Sequence, residues 1–273
     1  MRFQCSFLRP ALHTIQELSS LRLITIISAT AFLAIAQTVV LPNRPVARFY
    51  PPHATPDRVR QIVAAISDRL DGPGRERLTM SGNLRIGAAS SPATVVIELP
   101  GQIRIEHNTG RARVLAFDLT SLNGRAPIDD DDEDLVESLG LDTTEQFLYQ
   151  IDKNAAIRLL GHGFRVASEQ GFGSTVDIFQ ATIPLSARRD GQTRVKQFMF
   201  DSSTGLLRRV AYTISKNSQT VRASTQYSGY SALNGTQVPA LIVRQENGRE
   251  VFRFERTGAS VGTLVNDSAF RQP

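Results

Sequence analysis

The chain of 273 residues contains one cysteine, no tryptophan, four histidines and three lysines. With Cys5 alone near the N-terminus no intrachain disulfide can form, and a thiolate metal site that needs two or more cysteines is excluded. There is no G-x-S-x-G elbow, no H-E-x-x-H pair and no Walker loop. Gly161-His-Gly163 and Gly171-Phe-Gly-Ser174 lack the third glycine and the strand-to-helix setting of a dinucleotide loop, and read as turns. The basic excess is small, 31 Lys and Arg against 26 Asp and Glu, and most arginines stand singly among apolar residues. A nucleic-acid binder clusters its cations on one face, so that class is not expected. The acidic run Asp129-Asp-Asp-Asp-Glu-Asp134 is not a calcium loop. With Asp130 as its first position, Leu135 falls where a turn glycine is required and Leu141 where a bidentate glutamate is required. Carboxylates there have a simpler use, capping a helix N-terminus, and the run is otherwise expected to be solvated. No cofactor, metal or catalytic residue is expected.

Long apolar runs are also scarce, with one exception. Arg2, Arg9 and Arg22 precede the stretch Leu23 to Ala36, and Ala34-Ile35-Ala36 carries small residues where a signal peptidase reads. Residues 1–36 are therefore read as a signal peptide, or as an uncleaved anchor extending to about Leu41. Either way the rest is exported to the periplasm or cell envelope, touching the membrane only through this segment if it stays uncleaved. Cleavage removes Cys5 and leaves 28 basic and 25 acidic residues. No cysteine follows the apolar run to accept a lipid.

Pro42, Pro45, Pro51, Pro52 and Pro56 make residues 37–56 a linker. Asp57 opens a helix with Val59, Ile62, Val63, Ile66 and Leu70 on one stripe, stopped by Asp71-Gly-Pro-Gly74. The period then changes from 3.6 to 2. Leu78 to Ile86, Val95 to Leu99, Ile103 to Ile105 and Arg111 to Leu119 alternate as strands. Residues 129–161 return to helical spacing, through Leu135, Val136 and Leu139 and then Phe147, Leu148, Ile151, Ala155, Ile157, Leu159 and Leu160. Strands follow at Val176 to Ile183, Val195 to Phe200, Leu206 to Ile214, Val221 to Tyr230, Val238 to Gln245, Glu250 to Arg256 and Val261 to Val265, with hairpins at Asp201-Ser-Ser-Thr-Gly205 and Glu246-Asn-Gly248. About ten strands without β-α-β alternation predict an α+β single domain over residues 57–273, built on a curved antiparallel sheet. Its concave face is expected either covered by the helices or left partly open as an apolar pocket.

Phe200-Asp-Ser-Ser-Thr-Gly-Leu-Leu-Arg-Arg-Val210 resembles the hairpin F-D-x-x-T-G-L-L-x-R-V. Tyr227-Ser-Gly-Tyr-Ser-Ala-Leu-Asn-Gly-Thr-Gln-Val-Pro239 resembles Y-x-x-Y-x-x-x-x-G-x-x-V-P, and the tail Val265 to Pro273 is similar to N-x-x-x-x-x-F-x-x-P. This combination resembles the LolA/LolB-like superfamily of exported bacterial proteins, of the outer-membrane lipoprotein-sorting-protein type. The resemblance implies an incomplete antiparallel barrel wrapped around helices, with an apolar interior that accepts lipid or lipoprotein acyl chains.

If the pocket exists, alternation nominates its wall: Leu84, Ile86, Val95, Ile97, Phe198, Phe200, Val210, Tyr212, Phe252 and Phe254. Leu135, Leu139, Phe147 and Leu148 are the candidate lid, although apolar alternation serves an ordinary core equally well. Arg104, Arg208, Arg209 and Arg222 are candidates to meet an anionic head group, although alternation favours solvent-facing positions for sheet arginines. The expected partner is a lipid or an acylated protein, and the expected role is that of a carrier or sensor without catalysis. The alternative is a membrane-anchored envelope interaction module of the same fold with no pocket, its partner another envelope protein. A third class, a serine-dependent envelope hydrolase, requires a serine and a carboxylate beside His107 or His162.

Overall fold

The computed structural model describes residues 77–98, 101–110, 112–118, 122–124, 127–152, 157–165, 175–183, 194–216, 218–262 and 270. The expected signal peptide, linker and Asp57 helix lie outside the described residues. Most of the alternating sequence becomes strand, although the expected strand Val238 to Gln245 is broken at residues 239–240: β1 (Arg77–Ile86), β2 (Ala89–Glu98), β3 (Gln102–His107), β4 (Arg113–Asp118) and β5 (Leu122–Gly124) form the first meander. A helical insert follows, made of α1 (Asp130–Val136), a π-helical turn (Glu137–Leu141) and α2 (Thr144–Asp152). The second meander runs through β6 (Ile157–Arg165), β7 (Thr175–Ile183), β8 (Arg194–Asp201), β9 (Leu207–Lys216), β10 (Gln219–Ser228), the short β11 (Ser231–Leu233) and β12 (Thr236–Val238), β13 (Leu241–Glu246) and β14 (Arg249–Gly262).

Twelve of these strands make one sheet in the order β5-β4-β3-β2-β1-β14-β13-β10-β9-β8-β7-β6, while β11 and β12 pair as a separate ribbon. The paired strands run antiparallel, and β1 against β14 joins the first meander to the second. This corrects the count of about ten strands. The sheet is curved and open rather than a closed barrel, with β5 and β6 at its two ends. Because the insert connects the two end strands, the chain has to travel from one end of the sheet to the other. Its buried apolar residues bring it across the inner face.

Two local corrections have simple causes. Ile157, Leu159 and Leu160, read at helical spacing, belong to β6. A short apolar run does not distinguish a buried strand from a helix, and pairing with β7 decides here. The segment Glu250 to Arg256 and the start of the expected Val261 to Val265 strand are joined in β14, whose far half pairs with β1 past a bulge at Ser81/Gly82, while residues 263–265 lie outside the described residues. The turn signals are met directly. Asn247 and Gly248 both take positive φ, 49° and 81°, as a two-residue hairpin matched to strand twist requires. Asp129 caps α1 reciprocally: its carboxylate accepts from the Asp132 amide, and the Asp132 carboxylate accepts from the Asp129 amide.

Candidate functional site

The inner face is built by register. Leu84 on β1 stands opposite Phe254 on β14, and Ile86 opposite Phe252. Val95 faces Met80 and Ile97 faces Leu78 across β1 and β2, while Phe198 faces Val210 across β8 and β9. Leu84, Val95, Ile97, Phe198, Phe200, Val210, Tyr212, Phe252 and Phe254 are buried in one apolar cluster, and Ile86 packs against it half-buried. The residues named as a wall from the sequence are therefore gathered on one face.

What covers them is the insert. Leu135, Leu139 and Phe147 are buried in the same cluster, with Leu148 packed beside them. The Phe147 ring lies 5.4, 4.9 and 5.0 Å from those of Phe179, Phe198 and Phe200, within the range of favourable aromatic contact. Gly140 lets the π-helical turn come down onto β3. A Cβ there would run into the Ile103 side chain, so a larger residue fits only by displacing Ile103. The apolar face is occupied by the protein's own chain.

The same interface is also ionic. Arg244 on β13 and Lys196 on β8 are fully buried. Arg244 donates to Asp134 at 3.0 Å, to the Ser138 hydroxyl at 3.1 Å and to the Tyr212 hydroxyl. Lys196 holds Asp142 at 2.5 Å and Glu137 at 3.1 Å, and Arg194 approaches Glu137 at 3.5 Å. Tyr212 donates to Glu137 at 3.2 Å, while Tyr227 donates to the Ser138 and Asp142 carbonyls. At the rim Lys216 lies 3.3 Å from Asp134, and Arg113 on β4 grips Asp129 and Asp132 at 2.7 and 2.9 Å. Carboxylates of the insert thus meet cations of the sheet along its length. The expectation that the acidic run is solvated is corrected: Asp132, Glu133 and Asp134 are buried, and only the first residues of the run face solvent.

Burial sets the proton affinities. It raises Asp142 above the ordinary carboxylate range against the pull of Lys196, with Glu137 pushing the same way. It also raises the Tyr212 and Tyr227 phenols, which stay protonated as donors. Burial works against the charge of Arg244, but the carboxylates of Asp134, Glu137 and Asp142 raise its proton affinity and keep it a cation. The closed arrangement is imperfectly satisfied. Asp142 Oδ2 and both side-chain amide atoms of Gln146 are buried with no hydrogen-bond partner among the described residues. Buried ion pairs recover little net stability, because desolvation offsets their attraction.

The arginines named from the sequence lie elsewhere. Arg104 pairs with Glu106, Arg208 with Asp201, Arg209 donates to Ser224, and Arg222 is exposed. The cations against the insert are Arg113, Arg194, Lys196, Lys216 and Arg244. A sequence signal existed in β8 and β13, where these cations interrupt inward apolar positions. Arg194 and Lys196 continue the stripe of Phe198 and Phe200, and Arg244 that of Ile242.

The histidines form other contacts. Asp177 Oδ1 is shared by the His162 Nδ1 atom at 2.7 Å, the Gly163 amide at 2.9 Å and the Ser202 hydroxyl at 2.8 Å. In a nucleophilic triad the serine hydrogen-bonds to the imidazole. Here serine and imidazole meet the same carboxylate oxygen, tying the irregular Gly161–Gly163 stretch of β6 to β7 and to the turn after β8. His107 Nδ1 accepts from the Thr109 amide at 3.3 Å. No group of three or more His, Cys, Asp or Glu is placed for a metal ion among the described residues. Nor is any helix among them long and apolar enough to cross a membrane.

No family model matches the chain, and no curated protein matches its sequence. Solved structures do. The LolA superfamily protein NE2245 from Nitrosomonas europaea aligns over 77% of this chain and 96% of its own, at 8% identity and a TM-score of 0.49. An outer membrane lipoprotein-sorting protein domain from Vibrio parahaemolyticus aligns over 77% and 94%, at 9% identity and a TM-score of 0.43. A DUF1329 family protein from Desulfovibrio piger aligns over 78% and 96%, at 9% identity and a TM-score of 0.42. Identities this low carry over no ligand, partner or activity.

Proposed function

We propose that this chain is an exported, non-catalytic carrier or sensor of a hydrophobic ligand, a lipid or the acyl chain of a lipoprotein, taken up on the inner face of the sheet when the insert moves aside. The observation that carries the reading is the cover itself. An apolar face assembled from both meanders is closed by one chain segment, whose polar attachments can be exchanged for water. An all-apolar cover has no such exchange, because lifting it only exposes hydrocarbon. Magnitudes bear on ligand length. Uncovering Leu135, Leu139 and Phe147 costs roughly 1.5–3 kcal/mol for each side chain. A ligand regains about 0.8 kcal/mol per methylene, so a chain of about ten methylenes competes while a short one does not. Location in the envelope rests on the arginine-flanked apolar run at Leu23 to Ala36.

A second reading has its own support. Leu84, Phe198 and Phe200 are fully buried beneath the insert, as a permanent core requires. In that case the protein is an envelope interaction module that binds a partner protein on its outside. Native mass spectrometry with lipid extraction, on protein purified from a bacterial envelope, separates the two. A co-purifying mass that releases a lipid or acylated peptide supports the carrier. A protein that stays ligand-free after incubation with envelope lipids and acylated peptide overturns it in favour of the interaction module.

A further inference from the structure

Resting on the carrier reading, we infer that the ligand is an anionic amphiphile: Arg194, Lys196 and Arg244 receive its acidic head, the adjoining phenylalanine stripe receives its chain, and the insert occupies that site as an internal substitute. The inner positions of β8 read Arg194, Lys196, Phe198, Phe200, two cations followed by two aromatic rings along one strand. Arg244 on β13 adds a third cation, opposite Phe252 of β14. The insert matches this footprint group for group. Glu137 and Asp142 lie on Lys196, Asp134 on Arg244, and Phe147 on Phe198 and Phe200.

The charge balance follows from this arrangement. When the insert lifts, its carboxylates leave with it: Lys196 loses Glu137 and Asp142, and Arg244 loses Asp134 while keeping the Tyr212 hydroxyl and Glu246, which lies 3.3 Å away on the same strand. A neutral chain entering the face buries Lys196 without the two carboxylates that balance it and Arg244 without Asp134, an expensive arrangement. A chain ending in phosphate or carboxylate replaces the lost acids and restores charge-assisted hydrogen bonds. The inner face therefore discriminates by head group as well as by chain length.

Titration calorimetry of the full chain with lysophosphatidylglycerol and lysophosphatidylcholine of one acyl length, below their micellar concentrations, tests this. The anionic lipid is expected to bind at least about tenfold more tightly, the size of one or two charge-assisted hydrogen bonds. Equal binding of the two lipids overturns the head-group inference and leaves the carrier reading standing. Failure of both lipids to bind overturns both. Asp142→Asn keeps the shape of the internal substitute and removes one of its carboxylates, so the anionic lipid should bind about threefold to tenfold more tightly. An unchanged affinity refutes the insert's role as competitor.

A covalent lock gives a readout independent of that variant. The Ser138 and Thr225 hydroxyl oxygens are 2.9 Å apart across the interface. In a Cys5→Ser background, Ser138→Cys with Thr225→Cys should abolish lipid binding when oxidised and restore it on reduction. Undiminished binding by the oxidised form places the site elsewhere and overturns the inference.

Discussion

Gly140→Ala isolates how tightly the insert is seated. The backbone at Gly140 is helical and carries no positive φ, so the effect comes from the side chain alone. The new Cβ would lie 2.3, 2.5 and 2.9 Å from three carbons of Ile103, where carbon atoms prefer about 3.5–4.0 Å. Ile103 is fully buried on β3 between Ile97 and Phe117, so it cannot simply swing away. Overpacking of this kind costs about 1–3 kcal/mol, and the gain in helix propensity over glycine returns at most about 1 kcal/mol. A net loss of about 1–2 kcal/mol is expected, concentrated in the insert. Urea unfolding followed by circular dichroism, which a chain without tryptophan requires, gives the loss. Hydrogen exchange over residues 130–152 shows where it falls. Ile103→Ala alone costs about 2–5 kcal/mol but opens the space the new methyl needs. The double variant should therefore recover at least about 1 kcal/mol relative to the sum. A Gly140→Ala protein as stable as the parent, additive with Ile103→Ala, would refute the reasoning.

Three further outcomes follow from the same packing. Phe147→Ala empties a site surrounded by Phe179, Phe198 and Phe200 and should cost about 3–5 kcal/mol by urea midpoint; a loss below about 1 kcal/mol would mean that the insert does not fill the face. Arg244→Met leaves Asp134 buried without its main cation and should cost about 3–5 kcal/mol, whereas Arg244→Met with Asp134→Leu should recover most of it, measured by the same unfolding curves. Burial alone would raise Asp201, but hydrogen bonds from Ser203, Thr204 and Arg208 hold its pKa at about 2 against the usual 3.8. Its stabilisation is therefore complete above about pH 4 and is lost as pH falls toward 2, so the parent should lose about 1–2 kcal/mol more than Asp201→Asn between pH 5 and pH 2.5.

The legible part of this protein was the part governed by neighbours in sequence. Alternation placed Leu84, Phe198, Phe254 and the rest of the wall on one face, and the same alternation put Arg104 and Arg222 on the other. The Asp129 cap and the Asn247-Gly248 hairpin followed from the chemistry of single turns. Leu159 and Leu160 read as helix because a short apolar run fits a strand and a helix equally well, and only pairing with β7 separates them. The acidic run was read as a cap, correctly for Asp129 and Asp132, but the same reading left Asp134 in solvent. Its partner Arg244 lies 110 residues away, and no local pattern expresses that distance.

Local chemistry in the sequence determined the strands, their inward faces and the apolar character of the surface they share, because period-two alternation and turn residues act over a few positions. The tertiary structure alone decided what lies on that surface. The connection between β5 and β6 brings the insert across the sheet, and the meeting of Asp134, Glu137 and Asp142 with Arg244 and Lys196 depends on closing loops of some fifty to a hundred residues. Whether a buried face is core or covered site depends on that long-range closure, which local periodicity does not encode.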